Sequence, residues 1–384
     1  MKPKLAILIA ALIGAVSCGA DQAEPGPEVG REAVAAALND AVRLGFPGGQ
    51  AVIDDRGEVW KVSAGAGDLA TGAPFADDAR FRIASNTKTF VATVALQLVG
   101  EGRLELDAPV ERYLPGVVHG PGIDGGRITL RNLLQHTSGL PEFAAEFGAT
   151  PAPHQIDYLS PQVRWQIADV PAILRSALNA PADFEPGAKW AYSNTNYVVA
   201  GMVIEQITGT SVGTEITRRI LEPLALRDTY YPEPGETALR GPHPIGYTEF
   251  RGERVDYTDQ NVSAAGAAGA MVSTGADLAR FFAALLDGKL LPPAQLADMQ
   301  QVRAIEGSST MAYGLGLLRL TLPCGLEFWG HNGGIPGSLT YGGVVPATGR
   351  AVAVAMNQDF VDAERFPAPG RVLTAALCAG QPAR

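Results

Sequence analysis

Three short stretches of this chain hold side chains whose types and spacing suit nucleophilic catalysis. In "FRIASNTKTF" (81–90), Ser85 and Lys88 stand three residues apart, just ahead of an apolar-periodic run. Residues i and i+3 share a helix face, so the hydroxyl and the amine would adjoin. Lysine is scarce here: only six of the 30 Lys and Arg residues are lysine, and two of those lie among the first four residues. A cation at position 88 opposes the helix dipole, and a capping box opened by Ser85 would want Glu or Gln there. Arginine keeps its proton inside a protein, whereas a desolvated lysine at the positive end of a helix can lose it. Ser85 therefore reads as a nucleophile and Lys88 as its general base.

The second stretch, "EPGAKWAYSNTNY", contains the chain's only Tyr-x-Asn, Tyr192-Ser193-Asn194. The third, "FWGHNGGIPGS", follows an alternating segment and contains the only His-x-Gly, His331-Asn332-Gly333. Singly, each has an ordinary reading: a capping serine with a solvated lysine, an aromatic packed at an Asn turn, a glycine-rich turn with a chance histidine. No GxxxxGK[ST], CxxC or HExxH occurs and the five histidines are scattered, so neither a metal nor an organic cofactor is expected.

Around these stretches the chain has 384 residues, 46% hydrophobic and 18% charged, enough for one large or two medium domains. A net charge of −10 and the lack of a Lys/Arg cluster exclude a nucleic-acid surface. The opening "MKPKLAILIAALIGAVSCGADQ" carries two lysines and then an apolar run, Leu5–Val16. Such a run reaches about 18 Å as a helix, short of a hydrocarbon core of about 30 Å. It reads as an export signal over 1–20. Cys18 sits as the lipidated residue of a bacterial lipoprotein box would, although ordinary cleavage near Ala20 fits as well; residues 21–30 read as a flexible tether. A lipid at Cys18 would be the only membrane contact, and a monomer in a cell-envelope or extracellular setting is expected. The two cysteines left, Cys324 and Cys378, are expected to pair.

The elements that must position the three stretches follow from periodicity. "GGQAVIDDRGEVWKVSAGAGDL" alternates about an Asp-Arg-Gly turn and predicts a hairpin. Val91, Val94, Ala95 and Leu98 predict one buried helical face after Ser85, ended by Gly100 and Gly102. From about 105 to 310 strand signals fade and helical patterns alternate with Pro/Gly-rich loops. Alternation returns in "YGLGLLRLTL", "LEFWG", "GSLTYGGVVP" and "RAVAVAMN", and "GRVLTAALCAG" predicts a last helix. An α+β fold is expected: an antiparallel sheet built from both chain ends (31–104 and 311–381) with flanking helices, a mainly helical insert (105–310), and a cleft between them.

The order Ser-x-x-Lys, Tyr-x-Asn, then Lys/His-x-Gly on a late strand resembles the penicillin-recognising serine hydrolases, which include class C β-lactamases and secreted D-alanyl-D-alanine carboxypeptidases. "ITLRNLLQHTSGLPEF", "YSNTNYVVAGMVIEQITG" and "STGADLARFFAALLDGKLL" look like recurrent stretches of that family. The resemblance implies an α/β sandwich of the β-lactamase/transpeptidase kind. It also implies acylation of Ser85, with Lys88 taking its proton and sharing that work with Tyr192. Tyr192 would pass a proton to the leaving amine, and Asn194 would hold the substrate amide and Lys88. The backbone N–H groups of Ser85 and Gly334 would form the oxyanion hole. His331, where the family more often has lysine, would offer a positive or hydrogen-bonding edge to a terminal carboxylate. Asn332 and Gly333 would border the substrate. Arg319 could supply the anion contact that a threonine makes where this chain has Asn332. Cys324 and Cys378 sit where the carboxypeptidase type carries a disulfide.

The expectation is thus an exported D-alanyl-D-alanine carboxypeptidase, with transpeptidation as a variant, acting on small or peptidoglycan stem peptides and inhibited by β-lactams. A class C-like β-lactamase, a D-aminopeptidase and a broad esterase are the enzymic alternatives; a peptidoglycan- or β-lactam-binding module is the non-enzymic one. His136 and Ser138 in "LLQHTSGL" are neighbours in a loop and are not expected to act as a nucleophile pair. Asp183 and Glu185 read as solvated loop charges.

Overall fold

The alternating segment near the N-terminus closes as expected into a two-residue hairpin. Strands Gly48–Asp55 and Glu58–Gly65 pair with Asp55 opposite Glu58. Arg56 and Gly57, at φ 55° and 98°, supply the two left-handed residues that match the strands' twist. The computed structural model describes residues 27–145, 150–359, 362 and 364–380. The expected export signal and Cys18 lie outside the described residues, as does the tether up to residue 26. The rest of the tether is corrected: Pro27–Arg43 is a helix that buries Val34, Leu38 and Ala41 at helical spacing.

The hairpin joins an eight-stranded antiparallel sheet drawn from both ends of the chain. In spatial order its strands are Glu58–Gly65, Gly48–Asp55, Arg350–Met356, Ser338–Val345, Glu327–Ile335, Leu318–Thr321, Met311–Tyr313 and Arg303–Ala304. Strand Arg350–Met356 shows why both faces are covered. Ala351, Ala353 and Ala355 join the core on the side of helix Gly275–Leu286. Val352, Val354 and Met356 join the core under the two terminal helices, Pro27–Arg43 and Ala368–Cys378. The alanine face, with Gly342 beside Leu278 and Phe282, lets the covering helix lie close to the strands. That helix falls inside the stretch expected to form a separate helical insert, yet it packs on the sheet.

Helix Thr87–Gly100, which follows Ser85, is buried on every side through most of its length rather than along one stripe. The four apolar positions marked its start and length, but Phe90, Ala92 and Leu96 are enclosed too, with Phe90 stacked on Phe281 at a centroid distance of 3.6 Å. A helix apolar all round belongs at the centre of a core. The middle of the chain also holds three short strand pairs that its sequence did not announce: Arg80–Arg82 with Val272–Thr274, His119–Gly120 with Ile123–Asp124, and Tyr247–Phe250 with Glu253–Asp256. Runs this short cannot show alternation.

Cys324 and Cys378 form a disulfide across 54 residues, tying the turn after strand Leu318–Thr321 to the end of the last helix. The restriction that such a link places on the unfolded chain is worth about 4 kcal/mol by loop entropy. The double variant Cys324→Ser/Cys378→Ser should lose about that much unfolding free energy in urea denaturation. A loss below about 1 kcal/mol would show that the bond does not hold the C-terminal helix to the body.

Candidate active site

Ser85 lies in a short 3-10 turn, Ala84–Asn86, directly before helix Thr87–Gly100. The ordinary reading of Ser85 as a helix cap fails: the cap position is Asn86, and no side chain caps the helix. The Asn86 amide instead donates to Ile83 O at 2.9 Å and to Thr340 Oγ1 at 3.0 Å. Ala84 adopts φ 45°, a left-handed conformation costing an alanine about 1–2 kcal/mol. The sheet holds it there. Ser338 Oγ donates to Arg82 O at 2.8 Å, and a Cβ added to Gly333 would meet Ile83 O at 2.3 Å and Ala84 Cβ at 3.0 Å. Gly333 is therefore glycine because the strand presses on the turn that carries the nucleophile.

Lys88 is fully buried, with Nζ 3.0 Å from Ser85 Oγ, 2.7 Å from Asn194 Oδ1 and 2.6 Å from Ala268 O. Two of these partners are carbonyl oxygens, which only accept. A neutral amine donates its two N–H bonds to them and turns its lone pair toward the serine hydroxyl. Burial pushes the amine down to about 7, against a smaller upward pull from Glu142. From the other side the Tyr192 hydroxyl donates to Ser85 Oγ at 2.7 Å. Burial raises the Tyr192 phenol above its usual range, so it stays protonated. In this arrangement Tyr192 stands as a hydrogen-bond donor to the serine oxygen, and the Lys88 amine offers the lone pair on the other side.

The Tyr192 ring lies on His136, with centroids 4.3 Å apart. His136 Nδ1 accepts from the Ser193 N–H at 3.2 Å, which helps to fix the Tyr192–Asn194 turn. Ser138 Oγ bonds Asn196 Oδ1 at 2.5 Å, so His136 and Ser138 are indeed no nucleophile pair. Glu185 forms a surface ion pair with Arg127.

His331 departs from its expected role. It is buried, with Nδ1 2.5 Å from Asn332 O and Nε2 2.8 Å from the Tyr313 hydroxyl. The carbonyl can only accept, so Nδ1 carries the proton and Nε2 receives the Tyr313 O–H. Burial and the nearby Lys88 push the imidazole down to about 3, leaving it neutral rather than a cation for a carboxylate. Arg319 forms an ion pair with Glu327, at 3.5 Å on the neighbouring strand. Asn332 and Gly334 lie half-buried on strand Glu327–Ile335, opposite Tyr341 and Leu339, on either side of the Gly333 contact with the serine turn.

Three groups escaped the sequence reading. Ala268 contributes only a backbone carbonyl, which no residue type betrays. Tyr313 sits outside any motif and meets His331 only across strand pairs. Glu142, the penultimate residue of "HTSGLPEF", accepts from both the backbone N–H and the side-chain amide of Asn194. A lone glutamate in a Pro-containing loop carries no signal of its own.

A family model described as Beta-lactamase matches residues 31–377. A D-stereospecific amidohydrolase from a Streptomyces species is 38% identical, with 91% of this chain and 98% of that one covered, at a TM-score of 0.81. The D-amino acid amidase of Ochrobactrum anthropi SV3, solved with L-phenylalanine amide, is 30% identical over 90% of this chain and 98% of its own, at a TM-score of 0.76. Esterase EstB of Burkholderia gladioli is 35% identical over 185 residues, so this chain spans only 46% of that relative.

A base at about 7 has a kinetic signature. The acid limb of kcat/KM should fall tenfold per pH unit below about 7, where Lys88 Nζ gains a proton and loses its lone pair. Lys88→Arg, which cannot lose its proton, should cut acylation by about 100-fold or more. A Lys88→Arg enzyme that keeps its rate would remove Lys88 from the base role.

Proposed function

The chain belongs to the beta-lactamase family, and on that premise we propose that this hydrolase is a D-stereospecific amidohydrolase, cleaving amide or peptide bonds on the carboxyl side of a D-amino-acid residue through a Ser85 acyl-enzyme. The observation that carries the reading is the serine hydroxyl held between a buried amine at 3.0 Å and a phenol donor at 2.7 Å. Ser85 Oγ attacks the carbonyl carbon while its proton passes to Lys88 Nζ. The backbone N–H groups of Ser85 and Gly334 receive the charge that develops on the carbonyl oxygen, and one such donor is worth about 3–4 kcal/mol. The Tyr192 hydroxyl donates to the leaving nitrogen and is reprotonated from Lys88. Water, or an amine in transfer, then attacks the acyl carbon, and Ser85 recovers its proton.

Two features favour an amine-bearing D-residue over the terminal carboxylate of a carboxypeptidase substrate. His331 is neutral, and Arg319, on the next strand, is already paired with Glu327. Glu142, engaged by Ala144 and Asn194, adds negative potential behind Asn194, which disfavours an acid there without Glu142 itself touching the substrate. The likeness to the Streptomyces amidohydrolase and the Ochrobactrum amidase, each over about nine tenths of this chain, supports the same choice. D-Alanyl-D-alanine carboxypeptidase is the second reading, favoured by a 27% identical match over 320 residues to a relative from Escherichia coli named as a D-alanyl-D-alanine carboxypeptidase. Export, with or without a lipid at Cys18, is part of the proposal; the apolar run after Lys2 and Lys4 and the disulfide support it.

A substrate panel tests the proposal. D-Phenylalanine amide and D-alanine amide should turn over about tenfold or more faster than their L forms. N-acetylation should lower kcat/KM, and Ser85→Ala should abolish turnover. Penicillin should leave a covalent adduct on Ser85, visible by mass spectrometry. Preference for N-acylated peptides ending in D-Ala-D-Ala over the free amides would transfer the assignment to the carboxypeptidase reading, and a preference for L-amides would overturn both.

A further inference from the structure

Glu142 touches neither Ser85 nor Lys88, yet it is joined to both. Its Oε1 accepts from the Ala144 N–H at 2.9 Å. Its Oε2 accepts from the Asn194 backbone N–H at 2.7 Å and from Asn194 Nδ2 at 3.0 Å. A carboxylate accepts only, so it fixes which end of the Asn194 amide faces it. The NH2 points to Glu142, and Oδ1 is thereby turned to Lys88 Nζ at 2.7 Å. With the amine 3.0 Å from Ser85 Oγ, the result is one hydrogen-bonded line from Glu142 through Asn194 and Lys88 to the nucleophile.

We propose that Glu142 is a positioning residue for acylation, holding the Asn194 amide in the one orientation that aims the Lys88 lone pair at Ser85 and supplying the negative charge that balances that amine once it has taken the serine proton. The proposal rests on Ser85 and Lys88 being nucleophile and base. Charge around the amine agrees with it. Lys88 faces the rings of Tyr192 and Tyr197 at 4.8 and 5.5 Å, and its charge is felt at His136 and His331. Burial keeps the phenols of Tyr158, Tyr192, Tyr197 and Tyr313 protonated and both imidazoles neutral. Glu142 is the neighbour whose charge pulls the amine back up. Burial raises its own carboxyl, an effect only partly offset by the Ala144 and Asn194 bonds and by Lys88.

The test uses p-nitrophenyl acetate, which has neither amine nor carboxylate, beside D-phenylalanine amide. In Glu142→Gln, loss of the anion should move the acid limb of kcat/KM down by about one pH unit with both substrates. The kcat should fall about tenfold as Asn194 loses its fixed orientation. In an Asn194→Ala background the same change should cost less than about twofold in kcat, since the amide it acts through is gone. Glu142→Asp keeps the charge with a shorter reach: its limb should stay in place while kcat falls.

An unmoved limb in a folded Glu142→Gln enzyme would overturn the proposal. So would a shift confined to D-phenylalanine amide, which would make Glu142 a substrate contact, or a full tenfold cost in the Asn194→Ala background. If Glu142→Gln shows no cooperative thermal unfolding, Glu142→Asp decides alone, and an Asp enzyme with undiminished kcat ends the proposal. The acetate arm separates the outcomes: failure with D-amides alone counts against the proposed substrate, not against this role.

Discussion

Everything in this site depends on keeping one amine out of water without giving it a touching counter-ion. A buried ammonium in direct contact with a carboxylate would hold its proton and be useless as a base. Lys88 meets two carbonyl oxygens and a hydroxyl instead, and its nearest stabilising carboxylate stands one amide away. That spacing leaves the amine close to the balance point between its two charge states. The burial of helix Thr87–Gly100, which encloses Lys88 in its first turn, keeps water from that amine.

The second requirement is mechanical. Ser85 sits on a turn whose first residue, Ala84, is in an unfavourable conformation, and the local bonds of Asn86 to Ile83 O are only part of what holds it. The rest comes from strands far later in the chain, through Gly333, Ser338 and Thr340. Arg82 adds a further anchor. Buried, with its guanidinium on the carbonyls of Thr237, Thr258 and Gln260, it ties the strand before the serine to the segment that borders the sheet's hairpin at Pro336. A preorganised nucleophile is strain sustained from outside.

What the sequence disclosed and what it hid divide along physical lines. Ser85, Lys88, Tyr192 and Asn194 were legible because their roles need particular functional groups, and the structure brings the four together. The sheet from both chain ends was legible because its longer strands alternate or stay apolar through whole runs bounded by turn residues. His331 was legible as a site residue offering a positive or hydrogen-bonding edge, but the sequence could not choose between the two, since burial sets its protonation and its ring bonds Tyr313, 18 residues away. Glu142 and the Ala268 carbonyl were invisible for a related reason: one is a single acid in a loop, the other a backbone atom. Arg319 looked free only because its partner, Glu327, is a neighbour across a strand pair rather than along the chain.

The interleaving of chain ends in one sheet also governs when this molecule becomes chemically competent. Strand Gly48–Asp55 finds its inner neighbour only in Arg350–Met356, and the serine turn is locked only by residues 333–340. While a ribosome still holds the chain from residue 333 onward, those contacts do not exist, and Ala84 has no reason to stay left-handed. The nucleophile is therefore assembled last, by contacts of very long sequence separation, which are slow to form. A nascent or truncated polypeptide ending before those strands carries the serine, the amine and the phenol, and no working hydrolase.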